Sequence, residues 1–259
     1  MSGRHAAPDR SEPPDGVPDR PLDGVPGPQG RAGRPGGGPS CDAGAPVAGG
    51  PAAQWRPARL PGGRVLTVGD VRLRPLVADD APALFAALDE PRVWAAGYAG
   101  GRRPLTAGDM TGFVDRLLTR PDHAAFAVEV LPDGDPAEAW LVGTSSLGDA
   151  RPAEGRVYLG WTAYSPAVWG TRVNPAAKLA LLGHAFDDCG FHRVKIQTDV
   201  RNERSQAAIA RLGATREGVL RGHQPRADGS WRDTVVFSIL VDEWPAVRAG
   251  LEERLRTGR

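Results

Sequence analysis

Lysine is almost missing from this chain. Of its 32 basic residues only Lys178 and Lys195 are lysines, and 31 acidic residues leave a net charge of +1. The arginine bias reads as the codon usage of a GC-rich genome rather than a phosphate-binding signal. The charge balance argues against nucleic acid or a membrane surface as partner. Cysteine is equally scarce: Cys41 and Cys189 cannot build a disulfide framework, which points to a reducing cytoplasm. No apolar run approaches the ~18 residues of a membrane span. The opening MSGRHAAPDR lacks the apolar stretch of a secretory signal. His123, His184, His192 and His223 are scattered without zinc spacing, so no metal is expected.

Glycine and proline are abundant but uneven. Residues 1–63 hold 14 of the 34 glycines and 13 of the 25 prolines, against five residues of Leu, Ile, Val or Phe type. Such a segment buries too little apolar surface to offset its ordering entropy. We read 1–63 as a disordered tail, with Trp55 an incidental linker aromatic. The run Gly36 to Gly38 follows no strand pattern and is no dinucleotide fingerprint. The folded unit is then 64–259, long enough for one substantial core.

Within that unit, RVLTVGDVRLRPL (64–76) predicts a hairpin about Gly69-Asp70. A helix follows, capped by Asp79 or Asp80, with Leu84, Phe85 and Leu88 on one face. A second starts at Thr106, with Asp109 completing a capping box. Strands are predicted at 123–131, 139–147 and 156–164. The loop WGTRVNP then leads into a helix over 174–189, with Asn174 as N-cap, Leu179, Leu182 and Phe186 as its buried stripe, and Gly190 as its stop. A strand at 192–200, a short helix from Asn202 to Leu212, strands at 215–222 and 231–240 and a terminal helix from Asp242 complete the order. Hairpins mixed with helical crossovers argue for an α+β domain, not a doubly wound parallel sheet.

Several stretches, in order, resemble the Gcn5-related N-acetyltransferases (GNAT), in particular the RimJ/RimL-like branch: VRLRPL (71–76), DDAPALFAAL (79–88), YLGW (158–161), SPAVWGT (165–171), DVRNERSQAAIARLGA (199–214), REGVLRG (216–222) and DGSWRDTVVFSIL (228–240). The resemblance implies a mostly antiparallel twisted sheet flanked by helices, with central strands splayed around acetyl-coenzyme A. It implies that Trp169, Gly170, Thr171, Arg172, Val173 and Asn174, at a helix N-terminus, receive the pyrophosphate, where free amides and the helix dipole favour an anion. The family carries glycine-type residues at the positions of Arg172 and Asn174. Arg172 therefore either blocks the phosphate or adds a charge-assisted contact. The splayed strands map to 158–163, which includes Leu159 and Trp161, and to 196–199. A main-chain N–H there would polarise the thioester carbonyl. Trp161 is either cleft lining or plain core.

The resemblance also assigns Asn202 to orient the cofactor arm, although a helix N-cap explains the same residue. Ile209 stands where many relatives carry a general-acid tyrosine. Ser205 takes that role in the RimL-like branch, or is simply small enough for close helix packing. A general base is less evident. Tyr158, at a position often occupied by glutamate, has too high a pKa, and Glu129, Asp149, Glu154 and His223 each read as turn, edge or surface residues. An α-amine, with a pKa of about 8, needs no strong base and is the favoured acceptor over a lysine. Arg221, Arg226 and Arg232, around the last hairpin, either steer an acidic acceptor or are ordinary surface arginines. The expected activity is acetyl transfer to a primary amine, that of a protein N-terminus or a small molecule. The competing reading is a non-catalytic relative with a degenerate cofactor loop. Monomer and homodimer are both open.

Overall fold

A computed structural model describes residues 56–95, 103–226 and 228–258. The predicted tail up to Trp55, with Cys41, lies outside the described residues. Residues 56–63, assigned above to that tail, lie on the domain. Ala58 is buried, its N–H donating to the Pro152 carbonyl at 3.1 Å, and the Arg59 N–H donates to the Cys189 carbonyl at 2.8 Å. Average composition hid this docking because a single small apolar residue achieves it.

The chain opens with a hairpin, β1 (Leu66–Val68) and β2 (Val71–Pro75), turned by Gly69 in the left-handed region. Helix α1 (Ala81–Leu88) follows, burying Leu84 and Leu88. Asp80 precedes it, but its carboxylate binds Arg74 and the Val77 N–H rather than capping the helix. A short turn of helix, α2 (Pro91–Trp94), has no counterpart in the sequence reading. Helix α3 (Ala107–Leu118) has the expected reciprocal cap between Thr106 and Asp109, and buries Met110, Phe113, Val114 and Leu117.

Strands β3 (Ala124–Val130), β4 (Trp140–Arg151) and β5 (Arg156–Tyr164) form an antiparallel meander. Helix α4 (Val173–Gly183) extends through a π-turn over His184–Asp188 and stops at Gly190, whose φ is 77°. Its buried face is Ala177, Lys178, Leu181, Leu182 and Ala185, with Phe186; Leu179 is only partly buried. Then come β6 (Arg193–Asp199), α5 (Glu203–Ala210), β7 (Thr215–Pro225), β8 (Trp231–Leu240) and α6 (Trp244–Thr257).

The eight strands form one sheet in the order β1-β2-β3-β4-β5-β6-β8-β7. Every pairing is antiparallel except β5 with β6, which α4 joins as a crossover. One core packs α4 and α6 against the sheet; a second packs α1 and α3 with Ala125, Ala127 and Ala163. Among the described residues no helix is long and apolar enough to cross a membrane.

Candidate active site

The parallel pair β5 and β6 is incomplete. Its ladder runs only from Arg156–Tyr158 to Arg193–Lys195. Beyond that point the strands part, and 159–164 faces 196–199 across an open cleft of about 560 Å³, a size suited to a small-molecule ligand. Backbone polar groups on both edges are left without ladder partners and call for a ligand or water.

A bulge shapes one edge. Thr144 pairs with Ala163 and Ser146 with Gly160, so Ser145 opposes both Trp161 and Thr162. Trp161 has φ 47°, an unfavourable region for a bulky side chain that persists where the surroundings fix it. Thr162 meets a residue of α4: the Lys178 Nζ donates to Thr162 Oγ1 at 2.7 Å and to Ser145 Oγ at 3.3 Å, and the two hydroxyls are 2.7 Å apart. Lys178 is 6% exposed and has no carboxylate partner, and burial pushes its pKa down to about 7.

On the opposite face lies an aromatic group. Tyr158 and His123 flank Trp161 with ring centroids 4.8 and 4.4 Å away. They lie over two glycines: a Cβ on Gly160 would come within 2.4 Å of the Tyr158 ring, and one on Gly148 within 2.2 Å of His123, so either ring would have to shift. Burial raises the Tyr158 phenol to about 12, so it is no base at neutral pH. His123 is pushed down to about 4 by burial, then by Arg120, and sits behind Trp161 rather than on the cleft wall.

At the head of α4, Gly170 adopts φ 76° and turns the chain into the helix. The helix begins at Val173, not after Asn174. Arg172 is already helical, its carbonyl accepts from the Ala176 N–H at 3.0 Å, and Thr171 Oγ1 accepts from the Val173 N–H at 3.3 Å. Capping thus belongs to Thr171, and Asn174 is a first-turn residue facing the cleft. The amides of such a first turn lack intrahelical acceptors. Arg172 does not line the cleft: its exposed guanidinium pairs with Asp70 in the β1–β2 turn. Val173 is buried in the core. Trp169 donates from Nε1 to the Tyr164 carbonyl at 2.9 Å and carries the Arg204 guanidinium 3.7 Å above its ring.

From α5, Asn202 Oδ1 accepts from the Ser205 N–H at 2.9 Å, the expected cap, and both residues line the cleft. Ile209 is buried. Leu159, Trp161, Trp169, Gly170, Thr171, Asn174, Asn202 and Ser205 are thus brought together; Arg172 and Val173 are not.

The proposed bases stand elsewhere. Glu129 binds Arg72 and Arg74, Asp149 binds Arg120 at 2.6 Å, Glu154 binds Arg156 at 2.5 Å, and His223 meets Thr234 Oγ1 at 3.1 Å. None lines the cleft. Its one carboxylate, Asp199, is occupied by Arg226 at 2.7 and 2.8 Å. Arg92, Arg120, Lys178, Arg204, Arg211 and Arg232 make the cleft strongly basic. Among the described residues no group of three His, Cys, Asp or Glu is placed to hold a metal ion.

A family profile described as an acetyltransferase (GNAT) domain matches residues 70–215. The chain belongs to the GNAT acetyltransferase family. Solved structures agree. The GNAT domain is 35% identical to an assigned acetyltransferase from T. thermophilus, covering 74% of this chain and 96% of that one with a TM-score of 0.65. A GCN5-related N-acetyltransferase from Brucella melitensis is 27% identical, with 78% and 90% covered and a TM-score of 0.71. RimJ of Mycobacterium smegmatis, solved in complex with CoA-disulfide, shares the fold at 23% identity, with 79% and 94% covered and a TM-score of 0.57. No curated protein matches the chain.

Two features of this GNAT domain escaped the sequence reading. Lys178 falls three and four residues before Leu181 and Leu182, on the buried stripe, and is one of only two lysines; spacing and scarcity together were the available signal. Arg232 was grouped with exposed neighbours, yet it is 8% exposed.

Proposed function

We propose that this GNAT domain transfers an acetyl group from acetyl-coenzyme A to a primary amine by direct attack with both substrates bound. The observation that carries the reading is the early end of the β5–β6 ladder, which opens an amide-lined cleft leading to the head of α4. The cleft fits such a ligand: free strand edges match an amide-bearing arm, and Gly170, the first-turn amides and the surrounding arginines match a polyanion. When bound, acetyl-coenzyme A supplies an activated thioester.

The chain's own residues do the rest. Gly170, Thr171 and the first turn of α4 hold pyrophosphate, and Asn202, whose Oδ1 is spent on its cap, keeps its amide nitrogen for the arm. A backbone N–H of 159–163 donates to the thioester carbonyl and to the negative charge that develops on its oxygen. The cationic wall disfavours an ammonium ion and helps present the acceptor as a free amine. Ser205 from α5 and Lys178 from α4 both line the cleft. Either can return a proton to the departing thiolate, and Lys178, titrating near neutrality, does so without a partner base. The family resemblance of the sequence and the low base requirement of an α-amine favour a protein N-terminus as acceptor, with a small amine as the other choice. A reducing cytoplasm, argued above from the scarcity of cysteine, is part of the same reading.

The test is calorimetric titration of acetyl-coenzyme A into the full chain and into Arg172→Gly, followed by thiol-release assays with α-amine and lysine peptides. Saturable binding by both, within a few-fold of each other, and transfer favouring α-amines are expected. No binding by the parent, regained by Arg172→Gly, would mean a degenerate cofactor loop and overturn the reading.

A further inference from the structure

Two basic residues of the cleft wall are buried, Lys178, which donates to the Thr162 and Ser145 hydroxyls, and Arg232. Arg92, Arg204 and Arg211 are exposed, and Arg120 is committed to Asp149. Arg232 is 8% exposed, and among the described residues its Nε has no hydrogen-bond partner and its guanidinium no ion pair. The carboxylates around it are spent. Asp199, whose own pKa feels Arg232, binds Arg226 through both oxygens and the Arg201 N–H at 2.9 Å. Asp233 accepts from the Gly222 N–H at 2.7 Å, and Glu217 from Arg193 and Ser238. The remaining neighbours are Tyr158 and His223, whose pKa values Arg232 also influences, and Gln224 opposite it on β7. A guanidinium largely buried, with its Nε facing no acceptor, is costly unless an anion meets it.

Its position says which molecule brings that anion. Asp199 pairs with Thr234 and Gln197 with Val236, so Arg232, two residues before Thr234, lies on the face that carries Gln197 and Asp199. Leu159, Val194 and Ile196 alternate onto the other face, in the core beneath α4. The helix N-terminus that suits pyrophosphate belongs to the α4 side, whereas Arg232 stands with Tyr158 on the far side.

We infer that Arg232 determines acceptor specificity: it pairs, fork to fork, with a carboxylate on the amine acceptor, so that this domain selects anionic amines over neutral and polycationic ones. The inference rests on the acetyl-transfer reading above. The planar guanidinium matches a carboxylate through two parallel N–H···O bonds, which lysine cannot reproduce. The carboxylate has two possible sources, the α-carboxylate of a free amino acid or an acidic side chain beside a peptide N-terminus.

Matched pairs distinguish them: glutamate against its α-amide, and a tetrapeptide beginning Ser-Glu against Ser-Gln. Each is assayed with the full chain for thiol release from acetyl-coenzyme A and, separately, for calorimetric binding in the presence of coenzyme A. Parent, Arg232→Gln and Arg232→Lys are compared, with retained coenzyme A binding as the check on folding. The expected result is a preference of about ten- to a hundred-fold for the acid over the amide in at least one pair. Arg232→Gln abolishes it and Arg232→Lys restores it only in part. Transfer failing with every amine while binding keeps the acid preference would overturn the acetyl-transfer reading and leave the anion site standing. Acid and amide indistinguishable in both readouts, or a preference that survives in Arg232→Gln, would overturn the assignment of Arg232.

Discussion

Lys178 should be held at a cost to stability that depends on pH. Its ordinary pKa of 10.5 is pushed down to about 7 by burial, with only the Thr162 and Ser145 hydroxyls as partners. That displacement corresponds to about 5 kcal/mol favouring the neutral amine in the folded state. At pH 7 and below, lysine is charged in the unfolded chain and charging is resisted in the folded one, so the whole penalty is present. Between about 7 and 10.5 the unfolded chain binds the extra proton, so the penalty is relieved and stability rises with pH from this group. Lys178→Met keeps the stem and removes the amine. It forfeits two hydrogen bonds, about 1–2 kcal/mol together, and the two hydroxyls still bond each other. The variant should therefore exceed the parent by about 3 kcal/mol at pH 7, an advantage shrinking by about 2 kcal/mol by pH 9. Urea unfolding of both proteins at 25 °C, at matched ionic strength and several pH values, measures the difference directly. Thiol release should fall in the same variant, since a residue retained against stability is retained for the chemistry. An advantage that is absent, or constant from pH 7 to 9, would show that Lys178 stays charged in the fold and would refute the reasoning.

Two further outcomes follow from packing. Glu129, 5% exposed, binds Arg72 at 2.7 Å and Arg74 at 2.8 Å, and Arg74 in turn binds Asp80 at 2.6 Å. Glu129→Ala leaves Arg72 without its partner and should lose about 3 kcal/mol in urea unfolding; a loss under about 0.5 kcal/mol would mean the network behaves as a surface pair. Gly160→Ala drives a Cβ to 2.4 Å from the Tyr158 ring and should cost about 2 kcal/mol, falling close to zero when Tyr158→Ala is added. An equal cost in both backgrounds would place the strain elsewhere.

What the sequence disclosed was local. The Gly69 turn, the Thr106–Asp109 capping box, the Gly190 stop and the Asn202 cap each depend on a few neighbouring residues, and each stands where spacing predicted it. Strand ends were less legible: β4 runs on to Arg151 and β7 to Pro225, because those lengths are set by pairing with β5 and β8. Helix α4 begins at Val173 rather than after Asn174, and Thr171 Oγ1 accepts from its first N–H. Arg72 and Arg74, within the family-like VRLRPL stretch, clamp Glu129, a pairing that spacing alone does not disclose. The cleft itself is a negative fact, a ladder that stops, and nothing in the residues of 159–163 spells that out.

Charge shows most clearly how a local fact hides inside a global one. A net charge of +1 suggested no basic surface. In the fold, however, acids and bases are not sorted at random. The carboxylates of Asp80, Glu129, Asp149, Asp199 and Glu217 are each consumed by an arginine, whereas several arginines and a lysine converge on the cleft with no free carboxylate among them. A neutral protein has thereby built a cationic site. On the acetyl-transfer reading, repulsion keeps an incoming amine unprotonated, and a polycation is turned away on the same ground. The acid partners that balance the total stand outside the cleft or, like Asp199, face another arginine. Among the described residues no carboxylate is left to pair with Arg232, and on the inference drawn above the acceptor's own carboxylate supplies that counter-charge.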